Sequence, residues 1–444
     1  MLNLLIIYLM PATILFMIFL KKPKLPFYCY LLFAPFSYYY SFLAWDVYST
    51  GTLMQKSAKD IFILIVYVFW LFFVLQKKQV VFGALKSTRI VMLFCSVAIM
   101  HALIAIFSSF YVGIMGLRNV IEFVPLIFLV PSLFITKDDI RRIINLSIWC
   151  SLLVALAGVY ETYKIIPVWG LAILGNYRVH SFLFNPNNLG IYSAVFILLL
   201  LAMYFTKNYF ISKTMTVVGI IIISSSLILT FSRTALFGLT LGSLYLMYRN
   251  KRKELFLISV VVIIGIAGVV TYFFPQSRYG EISNFEKHDS VTGRTQNIVT
   301  AIELIKEQPA LLIFGAGFDK VTGIMDISKQ DTFTRVGGKG SEKISSDNFY
   351  LALIMGGGII GFSLFLAMLL FLLRESKMIN RATKDPYFKT LTQGISAVFV
   401  LYIFSGVGGM IWSYFPINFY FWLFAGLLIS IKMIAKQESL KGGE

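Results

Sequence analysis

The sequence predicts an all-α polytopic membrane protein with about 12–13 transmembrane helices and one long, structured polar loop between two of them. Three observations predict it. Of the 444 residues, 58% are hydrophobic and only 14% charged, and the mean hydropathy is +0.80. A soluble domain carries closer to about a quarter charged residues and could not cover its surface with so little polarity. Apolar runs of about 20 residues recur almost end to end, each long enough to cross a hydrocarbon core of roughly 30 Å. Phe (42) and Tyr (24) are also abundant, as expected where aromatic rings sit at lipid–water interfaces.

In chain order the expected spans are 1–20, 25–45, 61–76, 90–110, 114–135, 143–163, 186–206, 214–231, 233–248, 255–274, 347–373, 390–408 and 412–431. The first has no cleavage-site pattern after it and reads as a retained helix, not a signal peptide. Lys and Arg concentrate in alternate connections: Lys21–Lys24, Lys77–Arg89, Lys137–Arg142, Lys207–Lys213, Arg249–Glu254, Arg374–Lys389 and the tail from Lys432. These connections hold nearly all of the net charge of +18, whereas acids and bases balance in the long loop 278–343. Basic loops stay cytoplasmic, so these connections face inward, the others outward, and the C-terminus lies inside. The charge is thereby a topology signal that calls for no nucleic-acid partner. Three regions follow: transmembrane helices in 1–274, a long extracytoplasmic loop in 275–346, and further helices with a short tail in 347–444. Cys29, Cys95 and Cys150 lie in apolar spans at unrelated spacing, as packing residues do.

Away from the basic connections, polar residues gather at a few points on the expected outer side, where membrane-edge charge is costly and marks candidate function. Arg118 and Glu122 stand i, i+4 on one helical face, either as a self-neutralised pair or as site groups. Asn185-Pro186 is a helix start, an N-cap followed by Pro at the first helical position. Arg178 and His180 lie just upstream, at the mouth of that helix, where anions are favoured. Arg178 there is either a solvated loop residue or a phosphate ligand. Thr230-Phe-Ser232-Arg233-Thr234 joins two abutting apolar runs. Arg233 is an interfacial anchor, or its flanking hydroxyls satisfy the broken backbone and leave the guanidinium for bidentate phosphate capture. Within the long loop, Gly293-Arg294 opens a segment to Ile305 with the spacing of an amphipathic surface helix. Gly315-Ala-Gly317-Phe318-Asp319 reads as a turn. Ser346 or Asp347 is the expected N-cap of the eleventh span, and Asp347 can cap it and still face the same cavity.

In their order and spacing, Arg178 with Phe184-Asn185-Pro186-Asn187, Ser232-Arg233-Thr-Ala-Leu, Gly293-Arg294 and Asp347-Asn348-Phe-Tyr-Leu resemble the O-antigen polymerase and O-antigen ligase superfamily. Its members include the Wzy-type polysaccharide polymerases, and the resemblance covers about residues 110–375. It implies a membrane glycosyltransferase fold of the C type, in the cytoplasmic membrane of a bacterium, with its active site on the outer face. It implies undecaprenyl-diphosphate-linked oligosaccharides as donor and acceptor, with no cofactor, nucleotide sugar or metal. Membrane lipids, a chain-length regulator and a flippase are the further partners of such a system. Arg178, Arg233 and Arg294, with Arg118 beside them, are then the groups that hold the lipid diphosphate. Ligases carry a His-Asn pair where this chain has Asp347-Asn348. That departure favours a polymerase and makes His180 a rival to Asp347 as base.

A glycosyl diphosphate already has a good leaving group. The enzyme must stabilise developing negative charge, which preorganised arginines do, and orient an acceptor hydroxyl, which a carboxylate or imidazole does. Glu161 is a third candidate for that second task. No carboxylate pair or His cluster with metal-ligand spacing is present on the outer side. The alternatives are a ligase that moves finished glycan to a lipid, protein or wall acceptor, and a flippase for the same lipid-linked substrate. Transporters often show two related halves and charge along a crossing path. Here no repeat is visible and the charges sit at one membrane edge, which argues for an enzyme.

Overall fold

A computed structural model describes residues 19, 21–39, 58–77, 86–108, 110–169, 178–251, 298–299, 301–315, 317–318, 348–409 and 415–441. The helices are α1 (Leu25–Phe33), α2 (Ala58–Lys77), α3 (Lys86–Ser108), α4 (Phe110–Ile121), α5 (Leu126–Leu133), α6 (Lys137–Trp169) and α7 (Pro186–Thr206). There follow α8 (Lys213–Leu229), α9 (Arg233–Arg249), α10 (Ala310–Phe314), α11 (Phe349–Ala382), α12 (Pro386–Ser405) and α13 (Ile417–Lys441). Among the described residues there is no strand, and six helices are long and apolar enough to cross a membrane: α2, α6, α7, α11, α12 and α13. The fold is that of an all-α polytopic membrane protein. Apart from Phe19, the expected spans at 1–20 and 255–274 lie outside the described residues.

Ion pairs give the bundle its two ends. Lys24 meets Asp139 at 2.7 Å, Lys432 meets Glu375 at 3.3 Å, and Lys137 pairs with Asp385. Arg249 Nη2 donates to Asn380 Oδ1 at 3.0 Å. All of these residues lie in or beside the basic connections, which therefore share one end. The last turns of α8 and α12 and the first turns of α7, α9 and α13 share the other. Helices α7 and α13 form the centre, with Tyr192, Phe196, Tyr420 and Trp422 all buried. Lipid tails are as apolar as these side chains, so burial alone does not drive such packing; close contact and interhelical hydrogen bonds do. One such bond joins the buried Ser376 of α11 to Ser396 of α12.

Two expected spans differ from the observed helices. The stretch 114–135 is broken: α4 ends at Ile121, residues 122–125 turn, and α5 starts at Leu126. Pro125 contributes no N–H, and Lys59 of α2 draws Glu122 sideways at 3.1 Å. The stretch 347–373 is also not one rod. Gly358 has φ 64° and ψ −172°, which no helical residue adopts. The Phe349 and Phe365 ring centroids lie 5.1 Å apart, and those of Tyr350 and Phe362 lie 6.0 Å apart. Sixteen residues of continuous helix would separate the first pair by roughly 24 Å. The chain thus forms a short arm at 349–357 that folds back on a long arm at 359–382. The segment before it supports the reversal: Gly317 N–H donates to the Gly356 carbonyl at 2.9 Å, and the Phe318 ring lies against Gly356 and Gly357. His101 of α3 ties the same segment down, with Nε2 2.7 Å from the Phe314 carbonyl oxygen.

A Cβ on Gly358 would collide with the Ile313 carbonyl and would carry a left-handed φ. Gly358→Ala is expected to cost about 2 kcal/mol or more and to lower the melting temperature of the detergent-purified protein. An unchanged melting temperature would contradict the fold-back.

Candidate active site

At the end opposite the basic connections, α8 and α9 are joined by Thr230, Phe231 and Ser232 alone. The turn closes because hydroxyls replace missing backbone partners. Thr230 Oγ1 donates to the Leu227 carbonyl at 2.6 Å and accepts from the Ser232 N–H at 3.2 Å, while Phe231 takes a left-handed φ of 50°. Beside this turn α7 begins as its sequence dictates. Asn185 is the N-cap, its Oδ1 accepting from the N–H groups of Asn187 (2.8 Å) and Asn188 (3.2 Å), with Pro186 at the first helical position. Gly190, one turn further on, lets the two starts approach: a Cβ there would stand 2.8 Å from Ser232 Cβ and 3.1 Å from Thr230 Oγ1.

Arg178 bridges these two elements. Its Nε donates to the Thr230 carbonyl at 2.9 Å and its Nη2 to Asn187 Oδ1 at 2.6 Å. Ser232 Oγ reaches the same Asn187 oxygen at 3.3 Å and does not cap its own helix. Arg233 follows at the first position of α9, half-buried, and makes no hydrogen bond or ion pair among the described residues. A cation at the positive end of a helix dipole is unfavourable by several tenths of a kcal/mol or more. Packing therefore does not explain Arg233.

A third helix start adjoins these. Asn348 caps the short arm of α11, its Oδ1 accepting from Tyr350 N–H (3.0 Å) and Leu351 N–H (3.2 Å). The cap is thus Asn348, one or two residues later than the expected Ser346 or Asp347, because its amide oxygen reaches both amides of the first turn. Phe349 N–H donates to the Gly406 carbonyl at 2.9 Å, and Thr234 Oγ1 donates to the Gly408 carbonyl at 3.1 Å. The Gly406–Gly408 segment after α12 therefore links the start of α11 to the start of α9. Its role was not foreseen, although a glycine cluster directly after an apolar run is the signal that marks it.

His180 and Glu161 are neighbours. Glu161 Oε2 accepts from Ser181 N–H at 2.7 Å and His180 N–H at 3.4 Å, and Oε1 lies 3.4 Å from His180 Nε2. His180 Nδ1 lies 3.2 Å from the Ser181 carbonyl oxygen. Both ring nitrogens thus face oxygen atoms of the protein. The carboxylate also pins a strained turn in which Ser181 and Phe184 both have φ of 50°.

Arg118 has different company. Its Nη2 lies 3.1 Å from Asp60, its Nε 3.9 Å from Glu122, and Lys59 reaches both acids at 2.5 and 3.1 Å. Two cations and two carboxylates balance at the start of α2, with Glu122 nearly buried. The expected Arg118–Glu122 contact is present, and Lys59 and Asp60 join it from a distant part of the chain. The structure thus joins Arg178, Asn187 and Ser232 by contact, with Arg233 next in sequence and the Asn348 cap linked through Phe349, the Gly406–Gly408 segment and Thr234, and with Glu161 and His180 attached through the Arg178 segment. Arg294 and Asp347 lie outside the described residues. The described acids, His and Cys form no group of three suited to a metal.

Chemically, three helix starts and two guanidinium groups make a place for a multiply charged anion. A family model described as O-Antigen ligase matches residues 218–366. The matched stretch includes Arg233, Arg294, Asp347 and Asn348, and leaves out Arg178, His180 and Glu161. Comparison with curated proteins gives no match.

The Asn185 cap sets both the start of α7 and the position of Asn187. Asn185→Ala is expected to lower stability by about 1 kcal/mol, read as a fall in melting temperature; a loss under about 0.3 kcal/mol would deny the cap its role.

Proposed function

We propose that the chain, whose residues 218–366 match the O-Antigen ligase family model, is a surface-polysaccharide polymerase of the O-antigen polymerase and ligase superfamily. It transfers a growing glycan from undecaprenyl diphosphate to the non-reducing end of the next lipid-linked repeat unit, at the outer face of the bacterial cytoplasmic membrane. The single observation that carries this reading is Arg233: a half-buried residue with no hydrogen-bond or ion-pair partner among the described residues, at the positive end of a helix, directly after Ser232, which shares Asn187 Oδ1 with Arg178. An anion with several oxygens compensates all of these at once, and a lipid diphosphate at a membrane edge is such an anion.

In the reaction the acceptor hydroxyl oxygen bonds to the anomeric carbon as the bond from that carbon to the diphosphate oxygen breaks. Negative charge grows on the departing diphosphate, where Arg233, Arg178 and, in this proposal, Arg294 receive it. The proton of the hydroxyl passes to Asp347, one residue ahead of the Asn348 cap. His180, with one ring nitrogen facing Glu161 and the other the Ser181 carbonyl oxygen, positions the Arg178 segment in this proposal instead of acting as the base. Arg118, already matched by Asp60 and Glu122, holds α2 to the α4–α5 break and is the least suited of the arginines to bind phosphate. Asp347 in place of the His that ligases carry favours polymerisation; the description of the matched family favours transfer to another acceptor, and the two share the same donor chemistry.

Arg233→Lys or Arg233→Ala is expected to leave the protein folded while lowering elongation by about a hundredfold or more, giving single-repeat glycan. The check is the length of lipid-linked glycan formed by purified protein in detergent, where pure transport gives no product. Normal chain length in the variant would remove Arg233 from the reaction, and absence of any elongation by the wild type would return the transporter reading.

A further inference from the structure

The charge pattern sets the long loop outside the membrane, yet part of it is held below the end of the bundle. Two helices give its level independently. In α3, His101 stands twelve residues beyond Arg89 of a basic connection, about 18 Å along the helix. In α11, Gly358 stands sixteen residues before Arg374 of another basic connection, about 24 Å away. The rings of Phe94 and Phe365 are 5.8 Å apart, and seven residues onward in α3 and seven back in α11 lead to His101 and Gly358. Between these two lies the loop: His101 Nε2 is 2.7 Å from the Phe314 carbonyl oxygen, and a Cβ on Gly358 would stand 2.1 Å from that of Ile313. Both heights fall short of the roughly 30 Å of a hydrocarbon core. Beyond His101, α3 continues through Ala102–Phe107, six apolar residues in succession, so its apolar stretch extends above that level.

Backbone at such a depth has no water to bond and needs partners from the protein. They are present. Gly315 N–H donates to the Leu311 carbonyl and Gly317 N–H to the Gly356 carbonyl, both at 2.9 Å, while His101 meets the Phe314 carbonyl. The side chains are those that lipid accepts: Leu312, Ile313 and Phe314 are 42%, 47% and 60% exposed. Met100 and Ile104 of α3 and Ile359 of α11 are exposed on the flanking helices, so the apolar surface of the loop continues their membrane-facing surface. Charge stops where the apolar surface starts. Glu303, Lys306 and Glu307 are exposed, and Gln308–Phe318 carries no ionisable side chain.

We infer that residues 309–314 are a re-entrant element that inserts Leu312, Ile313 and Phe314 among the acyl chains of the leaflet opposite the basic connections. The long loop is then anchored in the bilayer as well as on α3 and α11, whatever the neighbouring site binds.

The test is collision of nitroxide labels with paramagnetic reagents, in the full chain reconstituted in vesicles of phosphatidylethanolamine and phosphatidylglycerol. The signal of the wild-type chain, labelled in parallel at its own cysteines, is subtracted. Labels on Leu312→Cys and Phe314→Cys are expected to relax severalfold faster with dioxygen, which partitions into hydrocarbon, than with a nickel chelate confined to water. A label on Glu307→Cys is expected to show the reverse. If Phe314→Cys does not fold, Leu312→Cys carries the test alone. Nickel access at 312 and 314 equal to that at 307 would put the segment in water and overturn the inference. Shielding from both reagents would also overturn it, by showing cover from protein, a second copy of the chain where the labels broaden one another. Oxygen access that falls when undecaprenyl phosphate is added would overturn it in favour of a substrate tail as the occupant.

Discussion

The two hydrogen bonds that hold Arg178, to the Thr230 carbonyl and to Asn187 Oδ1, are the contacts on which the site depends. Between apolar helices, every broken backbone group needs a partner from the protein, and most tight turns cannot supply one. The three-residue join between α8 and α9 is possible because Thr230 serves as both donor and acceptor within it. Its carbonyl, pointing outward from the end of α8, is then available to Arg178. The same arginine reaches the first turn of α7, so two helix starts that are distant in sequence become neighbours. Their dipoles add to the positive charge that the guanidinium brings.

The parts of this design that local chemistry determines were legible from the residues alone. Asn185-Pro186 announces the start of α7, because cap and proline act within one turn. Arg233 at the junction of two apolar runs could be singled out, because a charge between two spans has few structural uses. The alternation of Lys and Arg gave the basic end, and the ion pairs Lys24–Asp139, Lys432–Glu375 and Lys137–Asp385 gather there. What escaped notice depends on partners far along the chain. Asp60 meets Arg118 across 58 positions and Asn187 meets Ser232 across 45. No spacing rule reports such pairs.

The fold-back of α11 escaped for a related reason. Gly356-Gly357-Gly358 sits in an apolar run that is periodic enough to pass for one helix. The reversal exists because Ile313, Phe314 and Phe318, from within the long loop, fill the space that side chains at these glycines would occupy. His101 holds this part of the loop against α3 through the Phe314 carbonyl. As a result Phe349, next to the Asn348 cap, lies against Phe365.

The most direct measurement is a structure of the chain with a non-reactive undecaprenyl diphosphate analogue bound. The account predicts diphosphate density within hydrogen-bond reach, about 3 Å, of both Arg178 and Arg233, over the starts of α7 and α9. Density lodged instead at Lys59 and Arg118, or an arginine pair left without the anion, would contradict it.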